Sequence, residues 1–247
     1  MKKIGLLLLL SQIISFSQVF AQEKPITPIG GRPDIKGDLF LELGFNTLNN
    51  KPDELKTDFF PSRTFNVYYY FQVNLFGEAS GFTFNPGLGF ASDKYAFRNN
   101  QTLFNNPALG PNSSQLKPIT DVYGDNINIR TNNVTTNFLE IPLEFRYHFN
   151  KGNYSKSVRW AVGGKFGYNF QSQTKIAYTD SNGLDRKIKD RQSFGISPFR
   201  YGVYTRVGFP GFNIWGYYGL NQVFEKDMGP FKTQATQLNF GVSIALF

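Results

Sequence analysis

Apolar and polar side chains alternate along residues 138–149, whose sequence is FLEIPLEFRYHF. One face carries Leu139, Ile141, Leu143, Phe145, Tyr147 and Phe149, and the other carries Glu140, Glu144, Arg146 and His148. This period of two is typical of a β-strand with one apolar face. A soluble sheet buries that face, whereas a transmembrane barrel turns it towards lipid and encloses the polar face. The rest of the chain must therefore indicate which way the apolar face points.

The same alternation predicts eight strands, over residues 38–46, 64–75, 81–97, 138–149, 158–178, 199–209, 212–224 and 237–247. Each is long enough for a tilted spanning strand, which needs roughly 9–11 residues. The connections alternate in length, at about 17, five, 40, eight, 20, two and 12 residues. Transmembrane barrels place short turns on the periplasmic side and long loops outside. The sequence therefore predicts an all-β fold, an eight-stranded antiparallel up-and-down transmembrane β-barrel with this arrangement of turns and loops.

The N-terminus carries an export signal. Lys2 and Lys3 precede an apolar run, and Val19, Phe20 and Ala21 form a small-residue cleavage site. This pattern predicts a secretory signal peptide over residues 1–21, cleaved after Ala21. Residues 22–36, rich in proline and glycine, are expected to form a flexible periplasmic segment before an outer-membrane barrel over residues 37–247.

Composition is compatible with that location. The chain has no cysteine, and a closed barrel needs no disulfides. It contains 27 Phe, 13 Tyr and 2 Trp, and the last two residue types favour membrane–water interfaces. The formal charge of +8 falls to about +6 without the signal peptide, which would attract anionic lipid headgroups or simply solvate the surface. Nucleic acid is not an expected partner of an exported chain.

Charged residues on the polar faces are expected to fill the lumen. An eight-stranded barrel has an interior just wide enough for side chains. The inward candidates are Glu42, Glu140, Glu144, Arg146, Lys165, Arg200 and Arg206. Unpaired buried charge is very costly, so these acids and bases should pair. We expect a structural charge network that plugs the lumen without a continuous pore.

An enzymatic function is not expected. The single histidine, His148, precedes a short turn and thus belongs to the periplasmic side, with Ser155 and Ser157 nearby in the turn itself. A Ser–His pair there would be at the wrong end for acyl chemistry on outer-leaflet lipid. The sequence contains no metal motif, phosphate loop or nucleophile elbow, so no catalytic residue, cofactor or metal is predicted.

Two loop segments have candidate roles in binding. Residues 185–191 (DRKIKDR) form part of the third long loop, where Arg186, Lys187, Lys189 and Arg191 either contact lipopolysaccharide phosphates or are merely solvated. Residues 98–136 form a long loop rich in Asn, Pro and Ser. A loop of this length is usually functional or disordered, so it is expected to fold over the barrel mouth or meet a partner protein.

Three segments together resemble the PorT-like outer-membrane β-barrel family of Bacteroidota. They are NFLEIPLEFRYHF (residues 137–149), FTFNPGLGF (82–90) and WGYYGLNQVFEKDMGP (215–230). The resemblance implies an eight-stranded outer-membrane barrel whose named member is required for type IX protein secretion and, in relatives, for gliding motility. It further implies partners in a secretion machinery, the barrel-assembly machinery, lipid and lipopolysaccharide. One departure is Phe247, which strict alternation turns inward.

The leading hypothesis is thus an accessory barrel of protein secretion that acts through protein partners. One alternative is a small outer-membrane channel or ligand-binding barrel. A remote alternative is a soluble lipocalin-like carrier, which also has eight strands but would need an apolar lumen and a polar exterior. The sorting of the connections by length argues against the carrier.

Overall fold

The structure is a computed structural model that describes residues 37–77 and 79–246. Many aromatic and β-branched residues favour extended backbone along this range. The strands are β1 (Asp38–Asn49), β2 (Thr57–Tyr70), β3 (Val73–Asn74), β4 (Phe82–Phe97), β5 (Gln101–Asn105), β6 (Ser114–Pro118), β7 (Asn128–His148), β8 (Arg159–Thr179), β9 (Asp185–Arg191), β10 (Phe199–Phe209), β11 (Phe212–Gln222) and β12 (Thr236–Ala245). Single helical turns occur at Pro107–Leu109, Thr120–Tyr123, Tyr154–Lys156 and Pro230–Lys232. In the described part of the chain, no helix is long and apolar enough to cross a membrane.

Eight of these strands close into one antiparallel barrel. Around it the order is β1, β2, β4, β7, β8, β10, β11 and β12, and β12 pairs again with β1. The closing ladder runs from the pair Phe40–Ala245 to the pair Asn49–Thr236. Closure gives each of the eight strands two neighbours, which removes the exposed edge of an open sheet. The predicted eight-stranded antiparallel fold is confirmed.

The apolar face of the strands points outward. Leu139 is 57% exposed, whereas its neighbour Glu140 is 2% exposed. The same contrast follows each barrel strand, so the exterior carries a band of exposed apolar side chains, among them Leu43, Phe65, Leu88, Ile141, Phe145, Trp160, Val162, Phe166, Val203, Ile214, Phe240 and Ile244. An apolar band around a polar interior is the pattern of a barrel that spans lipid.

The two ends of the barrel differ, although less simply than the sequence indicates. We call the end with residues 71–81, 149–158 and 210–211 the turn end. The other end, with residues 50–56, 98–127, 180–198 and 223–235, is the loop end. The predicted length of the first long loop, about 17 residues, is wrong. Strand β2 already begins at Thr57, so only seven residues connect β1 to β2. Strands that extend past the apolar band therefore replace part of the predicted loop length.

Two other predicted loops contain regular structure. The segment predicted as loop over residues 98–136 contains the β5–β6 hairpin and two helical turns, and β7 begins at Asn128. Residues 185–191, also predicted as loop, are strand β9, which pairs with β8 from Thr179–Asp185 to Gln173–Arg191. Backbone pairing with an extended neighbour overrides the low strand propensity of these polar sequences.

Four predictions concern residues outside the described part of the chain. They are the signal peptide over residues 1–21, its cleavage after Ala21, the flexible segment over residues 22–36 and the inward orientation of Phe247.

Candidate functional site

The lumen is the most strongly charged part of the fold. Strand alternation directs the seven predicted residues inward, and the structure buries all of them: Glu42, Glu140, Glu144, Arg146, Lys165, Arg200 and Arg206. They come from four strands, β1, β7, β8 and β10, so only closure of the barrel brings them together. We refer to these residues and their buried ion-pair partners as the lumen network.

Near the turn end, Glu144 joins two arginines. Its Oε1 accepts a hydrogen bond of 2.8 Å from Arg146 Nε, and its Oε2 accepts hydrogen bonds from Arg206 Nη2 and the Tyr204 hydroxyl. Arg146 Nη1 donates to Asp38 Oδ2 at 2.6 Å. Because Glu144 is fully buried, these charge-assisted bonds replace the water that its carboxylate has lost.

At the middle of the lumen, Lys165 sits among aromatic rings. Its Nζ lies 3.1 Å from Glu42 Oε2 and 4.2 Å and 4.7 Å from the ring centroids of Tyr68 and Tyr204. Arg206 connects this group to the turn end, since its Nη1 is 3.6 Å from Glu42 Oε1. A carboxylate and two ring faces stabilise the buried ammonium together.

Towards the loop end, Arg200 holds a second pair of carboxylates. Its Nε donates to Glu140 Oε1 at 2.6 Å, and its Nη1 forms an ion pair with Asp93. Asp93 also accepts hydrogen bonds from Gln237 Nε2 at 2.8 Å and Asn239 Nδ2 at 3.0 Å. The carboxylate of this β4 residue is thus bonded to two other strands, β10 and β12.

Sequence reasoning missed three members of the lumen network. Asp38, Asp93 and Arg159 also lie inside, so that five carboxylates face five basic groups among the described residues. The alternation already indicated their direction. Asp38 and Arg159 each precede an outward apolar residue, and Asp93 is at one of the alternate positions of β4 that face inward. Strict alternation along the whole of each predicted strand would have found all three.

Apolar residues close the loop end above this network. Leu103, Phe194, Ile196 and Phe224 are buried in one cluster with Leu48, Leu55, Tyr95, Phe97, Val134 and Ala235. Hydrogen bonds hold the loops over it: Ser114 N donates to Met228 O at 2.8 Å, and Ser114 Oγ donates to Phe194 O at 2.6 Å. We call residues 98–127, 192–198 and 223–235 the lid. The lid joins three connections and covers the mouth with packed side chains.

The histidine and serines considered for catalysis have other contacts. His148 is buried at the turn end, where its ring stacks on Tyr154 with 4.3 Å between the centroids. The Ser155 hydroxyl donates to Asn153 Oδ1 at 2.7 Å, and the Ser157 hydroxyl donates to the main-chain oxygen of Val158 at 2.7 Å. In the described part of the chain, neither serine hydroxyl forms a hydrogen bond to the imidazole.

The four basic residues considered for contact with lipopolysaccharide are exposed on β9 and divide between its two faces. Arg186 forms an ion pair of 3.0 Å with Asp180 at the hairpin tip. Lys187, Lys189 and Arg191 share the opposite face, since successive side chains alternate along a strand. The structure therefore groups three of the four and separates Arg186 from them.

The match to a family model agrees with the barrel geometry. A family model described as "Outer membrane protein beta-barrel domain" matches residues 20–225. No curated protein sequence matches the chain significantly. Among solved structures, the chain is similar to Ail, the attachment invasion locus protein of Yersinia pestis, crystallised with the heparin analogue sucrose octasulfate. The sequence identity is 11% and the TM-score is 0.36, and the match covers 86% of this chain and 100% of the Ail chain. The chain belongs to the outer-membrane protein β-barrel domain family.

Proposed function

We propose that this protein is a non-enzymatic, non-conducting outer-membrane barrel that acts through protein partners. The observation that carries the proposal is the lumen network beneath its lid. Five carboxylates and five basic groups pair across the barrel, and apolar side chains of three connections pack above them. An interior filled with paired charge leaves function to the surfaces at the two ends.

The lid is the surface best suited to a partner. It is an ordered assembly: Ile196 pairs with Phe224, and Glu225 N donates to Gly195 O at 2.7 Å. Ordered loops on a rigid barrel can present a fixed binding surface at little entropic cost.

We further propose that the pathway served is type IX protein secretion. Support for this comes from the resemblance of residues 82–90, 137–149 and 215–230 to the PorT-like family. All three segments supply buried residues of the lumen, among them Asn85, Glu140 and Trp215. Deletion of the gene, followed by measurement of secreted cargo, gliding and outer-membrane integrity, tests the assignment. Lost cargo with an intact membrane is expected; unchanged secretion would leave a barrel without this role.

Planar-bilayer recordings on the purified protein test the non-conducting state. We expect no large, steady conductance. A stable open level that disappears when Arg200 or Glu140 is replaced would instead favour the alternative, a small channel or ligand-binding barrel, because the current would then pass through the lumen network.

A further inference from the structure

The outer face of the barrel carries opposed cations just beyond the apolar band at the loop end. Arg63 on β2 lies directly opposite Lys94 on β4, and Lys175 on β8 lies directly opposite Lys189 on β9. Arg63, Lys94 and Lys175 point outward by strand alternation, since their neighbours Thr64, Asp93 and Thr174 are buried inside. Lys189 shares the face of Lys175, because the two residues are directly opposite. Like charges directly opposite each other destabilise a sheet. Two such pairs on one side of the barrel therefore need an explanation.

Protein carboxylates do not neutralise these four cations. Three other basic residues at the loop end do have ion pairs: Arg98 with Asp58, Arg130 with Asp185 and Arg186 with Asp180. Among the described residues, no ion pair involves Arg63, Lys94, Lys175 or Lys189. The strand β7 between the two pairs contributes uncharged Thr135 and Asn133 at the matching positions. We call these four residues the outer cation row.

An apolar groove begins next to one end of this row. Arg63 and Lys94 border it, and Leu43, Phe45, Phe65 and Val242 form its wall on the lipid-facing surface.

A bulge in β2 enlarges the apolar surface beside Arg63. The register shifts between Asp58 and Arg63, and the extra residues project from the sheet. Phe59 stacks on Phe45 with 4.8 Å between centroids, and Phe60 next to it is 73% exposed. Cations and aromatic rings side by side form a surface that is complementary to a lipid with an anionic headgroup and apolar chains.

We propose that the outer cation row and the groove below it bind the phosphorylated headgroup and an acyl chain of lipid A in the outer leaflet. Phosphate between Arg63 and Lys94, and between Lys175 and Lys189, converts two repulsive pairs into charge-assisted contacts. A lipid with two phosphates fits a row with two cation pairs better than a lipid with one. Arg186 is not part of this site, because Asp180 already neutralises it.

Lipid titrations of the full-length mature protein in zwitterionic detergent test the proposal. The probes are bisphosphorylated lipid A, chemically dephosphorylated lipid A, phosphatidylglycerol and inorganic phosphate. The variants are Arg63→Gln with Lys94→Gln, and Lys175→Gln with Lys189→Gln. Lys151→Gln with Lys156→Gln, exposed at the turn end, is the matched control.

Each double variant is expected to bind bisphosphorylated lipid A about thirtyfold more weakly, from the usual contribution of two cations at a membrane surface. The control should bind as the wild type does, and added salt should reduce the difference. Without lipid, the variants should unfold at the same or a higher temperature than wild type, because a like-charge pair has been removed.

Three results would overturn the proposal. The first is that wild type and both double variants bind bisphosphorylated lipid A with equal affinity. The second is that wild type binds dephosphorylated lipid A as tightly as bisphosphorylated lipid A. The third is that inorganic phosphate saturates the protein at the same concentration as lipid A does. Stronger binding of phosphatidylglycerol than of lipid A would also contradict it. None of these outcomes bears on the proposed secretion role, which is measured by cargo export.

Discussion

Replacement of Glu144 by glutamine tests whether the lumen network stabilises the barrel. Glu144 is 0% exposed and accepts hydrogen bonds from Arg146, Arg206 and Tyr204. Glutamine keeps the size of the side chain but removes the negative charge. It also replaces one acceptor oxygen by an amide donor that faces a guanidinium. The variant therefore isolates charge pairing from packing.

The expected loss is large because two buried cations lose a partner together. Arg146 retains Asp38 at 2.6 Å, but Arg206 retains only Glu42 at the longer distance of 3.6 Å. Removal of one partner from a buried pair usually costs about 3–5 kcal/mol. We expect the free energy of unfolding of Glu144→Gln to fall by about that amount. Glu54→Gln, on an exposed side chain, should change it by less than about 0.5 kcal/mol.

Reversible urea unfolding in phospholipid vesicles, followed by tryptophan fluorescence, measures both variants. A second substitution, Arg206→Met, should restore part of the loss in Glu144→Gln, because it removes the uncompensated cation. The reasoning is refuted if Glu144→Gln lies within about 1 kcal/mol of wild type at an unchanged denaturant slope. Failure of Arg206→Met to restore any stability would show that the two residues are not coupled.

Three further predictions concern other parts of the fold. Gly163→Ala should destabilise the barrel by about 1–3 kcal/mol in the same urea assay, because the new Cβ would lie 2.1 Å from a β7 carbonyl oxygen. Gly164→Ala should be nearly neutral, because the nearest atom to its Cβ would be 3.6 Å away. Phe194→Ala empties a fully buried position and should lower the local stability of the lid by about 3–5 kcal/mol. Amide hydrogen exchange across the lid should therefore be faster, and unchanged protection would contradict the packing of the lid. The N–H of Leu184 and then the Arg186 guanidinium lower the pKa of the Asp180 carboxyl from its ordinary 3.8. Amide protection of the β8–β9 hairpin should therefore be constant above about pH 4 and should fall as acid protonates Asp180. Asp180→Ala should show the reduced protection at every pH.

Alternation was enough to predict the barrel and most of its lumen. Each barrel strand has a period of two, and the backbone fixes which side chains share a face. Once Leu139 faces lipid, Glu140 must face inward, and the same holds for Lys165 beside Phe166. Asp38, Asp93 and Arg159 lie within three of the predicted strands and obey the same rule, so alternation alone was enough to place them in the lumen as well.

The loop end could not be predicted in the same way. Residues 185–191 are polar and show no apolar face, yet they form β9 because β8 extends beyond the apolar band and offers unpaired backbone groups. The lid depends on contacts between residues far apart in sequence, such as Ser114 with Phe194 and Met228. No local pattern encodes which distant loop will supply a partner.

The sequence by itself determined the all-β fold, the eight strands and the inward or outward direction of each side chain, because these follow from local alternation. Only the tertiary structure decided which charges pair. Glu144 with Arg206 and Asp93 with Arg200 meet across the barrel at positions set by its closure and register. The outer cation row is likewise a product of register, because Arg63 meets Lys94, and Lys175 meets Lys189, only when the strands align as they do.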